Sequence, residues 1–230
     1  MKRILLIFMA ALCSIAMSAK KPVNTQWTAE QAREWWDEQE WPVGCCYVPT
    51  YAVNQFEMWQ EETFNPEVLD KEMGLCEELG FNVVRVYLHE MLWFQDKEGF
   101  KKRINHFLEI AAKHGVRVTF TFCTNGGSTQ QLGKQPEPVA GSHGGGRWCQ
   151  SQDKSIFFNK EKWPEFKEYL QDILKTFGKD DRILYWCLYA LPISLRYCST
   201  AAAIFVPTDF TTDVASLFPD KTAVLTYSLY

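Results

Sequence analysis

The feature that most constrains this 230-residue chain is a phrase that occurs three times: an amphipathic helix, a glycine, then a short apolar strand. In its first copy, Asn65-Pro66-Glu67 supplies an N-cap, a proline at the first helical position and an acid in the first turn. Leu69, Met73, Cys76 and Leu79 mark one helical face, and Gly80 is placed to end the helix. The second copy runs from Phe100 through Ile104, Phe107, Leu108, Ala111 and Ala112 to Gly115. The third carries Trp163, Phe166, Leu170, Ile173, Leu174 and Phe177 and ends at Gly178. Strands are predicted after them at 82–88, 116–122 and 183–189, with an earlier one at 43–48.

These strands are near-continuous apolar runs, which is what burial on both faces by flanking helices requires. Helix, glycine and strand in repetition is the grammar of a parallel α/β protein. Two architectures share it. A doubly wound dinucleotide fold needs G-x-G-x-x-G after its first strand, and Gly44-Cys45-Cys46-Tyr47-Val48-Pro49 does not supply it. A (β/α)8 barrel instead keeps its chemistry at the C-terminal ends of the strands and in the loops beyond them. Arg85 and His89 around the second predicted strand, and Asn125 after the third, stand where such a barrel needs them. The predicted fold class is therefore α/β, the N-terminal half of a (β/α)8 TIM barrel. About four strand–helix units fill residues 24–189.

Residues 1–19 read as a signal peptide. Lys2 and Arg3 form a basic start, 4–17 an apolar core, and Ala16-Met17-Ser18-Ala19 a small-residue cleavage site. That core is about 14 residues long, short of the roughly 20 that span a bilayer. The expectation is export to the periplasm or the cell exterior, with no membrane anchor once the segment is cleaved. Loss of the two cations Lys2 and Arg3 takes the formal charge from −4 to −6. A mildly acidic chain without a basic run argues against nucleic acid and anionic membrane as partners.

Eight cysteines suggest a disulfide framework, but Cys13 leaves with the signal and the remaining seven are odd in number. Cys76 and Cys187 lie inside apolar runs, where a free thiol behaves as a small hydrophobe. No C-x-x-C occurs, and His89, His106, His114 and His143 include no H-x-x-x-H pair, so no metal site is predicted. Gly127 and Gly133 enclose five residues rather than four, and Gln135 follows Lys134, so a phosphate loop is excluded as well. No cofactor is implied.

Among polar residues, Arg85 stands out inside Val83-Val84-Arg85-Val86-Tyr87. A cation there needs a carboxylate or a hydrogen-bonding network, since burying it alone costs several kcal/mol. Its functional reading is an arginine at a barrel mouth, and its plain one is a structural ion pair. His89 follows at the strand end with Glu90 and Trp93 close in sequence, and a lone histidine there is more often a satisfied core residue. Nine tryptophans and sixteen phenylalanines are mostly core material, but Trp93 and Trp148 sit in polar or loop surroundings and are candidates to stack on sugar rings. Trp163 and Trp186 read as packing.

Several stretches together resemble a known family: Gly44 to Pro49, Asn54-Gln55-Phe56-Glu57-Met58-Trp59-Gln60, Thr63-Phe64-Asn65-Pro66, Asn82 to His89 and Gly133-Lys134-Gln135-Pro136-Glu137-Pro138. They are similar to secreted cellulase- and xylanase-like glycoside hydrolases related to glycoside hydrolase family 5, over roughly 26–189. The resemblance implies hydrolysis of β-1,4-linked plant polysaccharide by retention with two glutamates held about 5–5.5 Å apart. A β-linked polysaccharide or oligosaccharide would be the partner. Arg85 matches the family arginine on the second strand, while Cys46 stands where the family carries asparagine. His89, Trp93, Asn125 and Trp148 become candidates for substrate binding or active-site support.

The resemblance also exposes a fault. The acid/base glutamate follows an asparagine at the end of strand four in this family. Here Trp186-Cys187-Leu188-Tyr189 begins that motif, and then Ala190 replaces the asparagine and Leu191 the glutamate. Leucine cannot transfer a proton, and general acid catalysis is worth roughly 10²- to 10⁴-fold. The nucleophile is expected at the end of strand seven, beyond the units found here. Residues 190–230 carry five charges in 41 positions, and Ala190-Leu191-Pro192-Ile193 is the translation of the sequencing-adapter string GCTCTTCCGATC. The expectation is a tail of separate, chimeric origin, an inactive chain and a fourth strand left as an unpaired, aggregation-prone edge; the alternative is a non-catalytic carbohydrate-binding protein that kept the aromatic loops and lost the glutamates.

Overall fold

The computed structural model describes residues 28–124, 149–151, 159–190 and 224–225, with 189, 190, 224 and 225 by their backbone alone. The signal segment, Asn125, His143, Trp148 and Leu191 lie outside the described residues, as does the tail apart from Ala190 and 224–225.

Helix α1 (Ala29–Asp37) is opened by a capping box in which Thr28 and Gln31 exchange side-chain-to-backbone bonds. Strand β1 (Gly44–Cys46) leads to the short α2 (Gln55–Trp59), capped by Asn54, and to α3 (Pro66–Glu78), capped by Asn65. Strand β2 (Val83–Tyr87) is followed by α4 (Glu90–Gln95) and α5 (Lys97–Lys113). Strand β3 (Arg117–Thr124), α6 (Trp163–Phe177), β4 (Ile183–Ala190) and a two-residue β5 (Val224–Leu225) complete the order.

All three repeats of the phrase form as the sequence predicts, with boundaries within a few residues. Gly80 and Gly115 take φ of 74° and 69°, the left-handed region that a Cβ disfavours, and so stop α3 and α5. Gly178 differs: it ends α6 at φ −62° in ordinary right-handed geometry.

The strands form one parallel sheet in the order β1-β2-β3-β4-β5, each beside its sequence neighbour. A doubly wound sheet reverses its strand order at a switch point; this one winds in a single sense throughout. Helix-side residues of the strands make the core. Phe122 stacks on Trp186 with centroids 5.1 Å apart, Phe120 lies 5.4 Å from Trp186, and Tyr169 of α6 meets Phe122 edge-on. Trp59 of α2 packs on Phe64, Phe100, Phe107 and Phe120, and its indole N–H donates to the Tyr87 carbonyl at 2.8 Å. One aromatic side chain thereby joins α2, α5 and two strands. The β3–β4 register slips between Val118 and Thr119.

Two expectations need correction. β1 is exposed at all three residues rather than buried on both faces, because among the described residues it has a strand neighbour on one side only. β4 is not an unpaired edge: Trp186 and Cys187 pair in parallel with Val224 and Leu225, inside the stretch read as unrelated tail.

Candidate functional site

Pairing register fixes which side chains share the sheet face turned away from the helices. Cys46 is aligned with Arg85, Arg85 with Thr119, Tyr87 with Thr121, and Thr121 with Cys187. With alternation along each strand, Cys46, Arg85, Tyr87, Thr119, Thr121 and Cys187 fall on that one face, rising toward the C-terminal strand ends.

Arg85 is half-buried there. Its Nε–H donates to Thr121 Oγ1 at 3.2 Å, and its guanidinium lies 5.1 Å from the centre of the Tyr87 ring. Such stacking suits a planar, weakly hydrated cation. No carboxylate forms a salt bridge with it among the described residues, so the structural ion pair is not its role here. The Tyr87 hydroxyl donates to Cys46 Sγ at 3.6 Å. Burial, followed by that contact with Cys46, raises the Tyr87 phenol well above its ordinary range, which keeps the hydroxyl a proton donor. Arg85 and Tyr87 thus make a donor-rich patch against the cysteine that replaces the expected asparagine.

Beside this patch lies a buried polar group at the end of β2. His89 caps α4, its Nδ1 accepting from the Met91 N–H at 3.2 Å. With Nδ1 so occupied, Nε2 carries the ring proton and donates to the Gln150 carbonyl at 3.1 Å. Glu90 is fully buried next to it, and the Ser151 hydroxyl lies 2.8 Å from Glu90 Oε2 and 2.6 Å from the Phe122 carbonyl. Burial first, then the Glu90 charge, push the Cys123 thiol and the Tyr169 phenol well above their usual values.

The predicted site residues therefore separate. Arg85 stands half-buried on the sheet face turned away from the helices. His89 is 0% exposed and touches backbone. Trp93 is 1% exposed: its indole N–H donates to Asp172 Oδ2 at 2.8 Å and Lys97 Nζ covers its ring at 3.9 Å. This corrects the reading of Trp93 as an open stacking surface, since α4 folds its ring against α6. Ala190 ends β4 opposite Thr124. Trp163 and Trp186 pack as predicted. Sequence reasoning missed Tyr87, Thr121 and Ser151. Strand alternation from Arg85 could have found Tyr87, whereas Ser151 gave no signal.

No family model matches the chain, and no curated protein sequence matches it. Solved structures do match. An exo-β-1,4-mannosidase from Opitutaceae bacterium strain TAV5 superposes with a TM-score of 0.53 at 20% identity, over 80% of this chain and 31% of that one. The described units form the N-terminal half of a (β/α)8 barrel. An endo-1,4-β-mannanase from Rhizomucor miehei aligns at 18% identity with a TM-score of 0.43, over 72% of this chain and 50% of that one. The chain spans about a third to a half of the length of these two structures. In such a half-barrel, Tyr87 and Ala190 end their strands, with Arg85 one alternation below Tyr87, on the side where barrel enzymes place their chemistry.

Proposed function

We propose that this chain is the N-terminal half of an exported glycoside hydrolase acting on β-1,4-linked plant polysaccharide, with the C-terminal strand ends as its glycan-facing side. The observation that carries the reading is the Arg85–Tyr87 pair, half-buried donors on the sheet face turned away from the helices, with the buried Thr121 hydroxyl accepting from Arg85. Neutral sugar hydroxyls suit such donors, and the mildly acidic charge of the chain leaves a neutral ligand unopposed. The retaining mechanism belongs to the whole enzyme. In this chain Leu191 takes the acid/base position, so glycan is held without general acid catalysis and no bond is cleaved. The N-terminal 1–19 segment acts as the export signal, and 190–230 has a separate origin from the enzyme-like part.

Titration of the secreted chain with β-1,4-linked mannotetraose, xylotetraose and cellotetraose tests this, alongside a reducing-sugar assay. One of the three binds, Arg85→Ala weakens that binding at least fivefold, and no reducing sugar appears. Absence of binding to all three, or hydrolysis by the purified chain, overturns the reading. Sequencing the source gene across codons 188–194 checks the whole-enzyme part. Asn-Glu-Pro in genomic DNA supports a retaining parent, and Ala-Leu-Pro removes it.

A further inference from the structure

The 149–151 segment returns to the barrel half after leaving β3 and is gripped from three directions. From α2, the Gln55 side-chain amide donates to the Cys149 carbonyl and Asn54 Nδ2 contacts Cys149 Sγ at 3.3 Å. From the end of β2, His89 Nε2–H donates to the Gln150 carbonyl and Glu90 meets the Ser151 hydroxyl. From β3, the Phe122 carbonyl meets the same hydroxyl, and the Thr124 N–H donates to the Ser151 carbonyl at 2.6 Å in an isolated antiparallel bridge. Asn54, Gln55, His89, Glu90 and Ser151 are all at most 1% exposed.

Burying a carboxylate and an imidazole is costly unless each is satisfied, and apolar side chains of like size would fill this space more cheaply. Of the side chains named here, only Gln55 leaves a buried atom, Oε1, without a hydrogen-bond partner, and such a network does something an apolar one cannot: it fixes a single position for the chain it binds. Here that chain lies 61 residues away in sequence and enters the C-terminal face of the barrel half.

We infer that His89 and Glu90 are positioning residues: a buried pair that holds the 149–151 segment on the ends of β2 and β3, next to the Arg85 patch, without touching glycan. This deepens the proposed function and rests on it only for the ligand. His89 is thereby moved from a candidate sugar contact to a brace for the connection that follows β3.

Hydrogen exchange on the full chain tests the brace, because the Thr124 amide is itself bonded to Ser151. In Ser151→Ala the Thr124 amide and the 149–151 amides exchange at least tenfold faster, while Val84, Val86 and the α5 amides keep their rates. Ser151→Thr, which retains the hydroxyl, restores protection. Affinity for whichever of β-1,4-linked mannotetraose, xylotetraose and cellotetraose binds the unmodified chain falls in Ser151→Ala and returns in Ser151→Thr. If Ser151→Ala does not fold, His89→Asn, which keeps a short side-chain donor, is read on the same amides. Unchanged Thr124 protection overturns the inference, as does a rise shared equally by β2 and α5, which marks a purely structural role. Should the parent chain bind no glycan, the exchange result still decides the brace and the glycan reading falls alone.

Discussion

β1 and β3 are both parallel strands of one sheet, yet the protein treats them oppositely. β3 runs for eight residues between two strand neighbours, and seven of those residues are buried. β1 has three, all exposed, and pairs on one side among the described residues. Their local sequences do not explain this; their neighbours do. A strand is buried by what flanks it, so an apolar run states only the capacity for burial. The aromatic cluster around Phe120, Phe122 and Trp186 concentrates stability on the β3 side, whereas the β1 side reaches the core through Tyr47, just after the strand, stacked on Phe107 at 5.9 Å.

The largest expected effect breaks the rich side. Trp186→Ala removes the ring stacked on Phe122 and leaves a cavity, at a cost of about 3–5 kcal/mol. Equilibrium denaturation would show it as a lower midpoint, and a loss under about 1 kcal/mol would mean that the core is not centred there. Gly44→Ala probes the poor side. A Cβ at Gly44 would overlap the Val83 carbonyl, so β1 must move away from β2. The expected cost is about 1–3 kcal/mol, with faster exchange of the Tyr47 amide that now donates to the Arg85 carbonyl at 2.9 Å. Equal exchange at Phe120 would show that the two sides unfold as one unit.

A smaller effect ties the helices behind both strands. His114 places Nε2 3.0 Å from Asp70 and Nδ1 2.8 Å from Glu77, and neutral imidazole has only one N–H to offer. The bonds to Glu77 and then Asp70 raise its pKa, with partial burial and then neighbouring Lys113 opposing. Because the folded value lies above the unfolded one, the stabilisation is complete below the unfolded value near 6.5 and fades as pH rises through the folded value. His114→Gln should lower Tm by about 1–2 °C at pH 5.5 and by less at pH 9, as partly exposed ion pairs do. A gap that grows with pH would refute the charged staple. The smallest effect is Cys46→Ser, about 0.5 kcal/mol or less at an exposed site. In the native chain, thiol reagents should modify Cys45 and Cys46 well before Cys76, Cys123, Cys149 and Cys187, all four of which are buried. Burial also pushes the Cys149 thiol up to about 11, slowing it further.

Much of the fold was legible because its signals are local. Asn65-Pro66 and the helical apolar spacing specify α3 within a few residues, and Gly80 and Gly115 stop helices where only a residue tolerant of positive φ fits. Three helices escaped: α2 and α4 because five and six residues hold too little periodicity to show, and α1 because none of its nine residues is buried. Arg85 was recognisable as a polar residue within an apolar strand. Tyr87 was reachable only by alternation from Arg85, because an aromatic residue at a strand end by itself looks the same whether it packs or lines a face.

By itself, the sequence determined the helix–strand phrase, its boundaries and the absence of a glutamate at position 191, since each depends on residues adjacent in the chain. Tertiary structure decided that β1 is exposed, that Trp93 is shut between α4 and α6, and that His89 and Glu90 face Gln150 and Ser151. Those outcomes rest on pairing and packing between segments dozens of residues apart, and no local propensity encodes that distance.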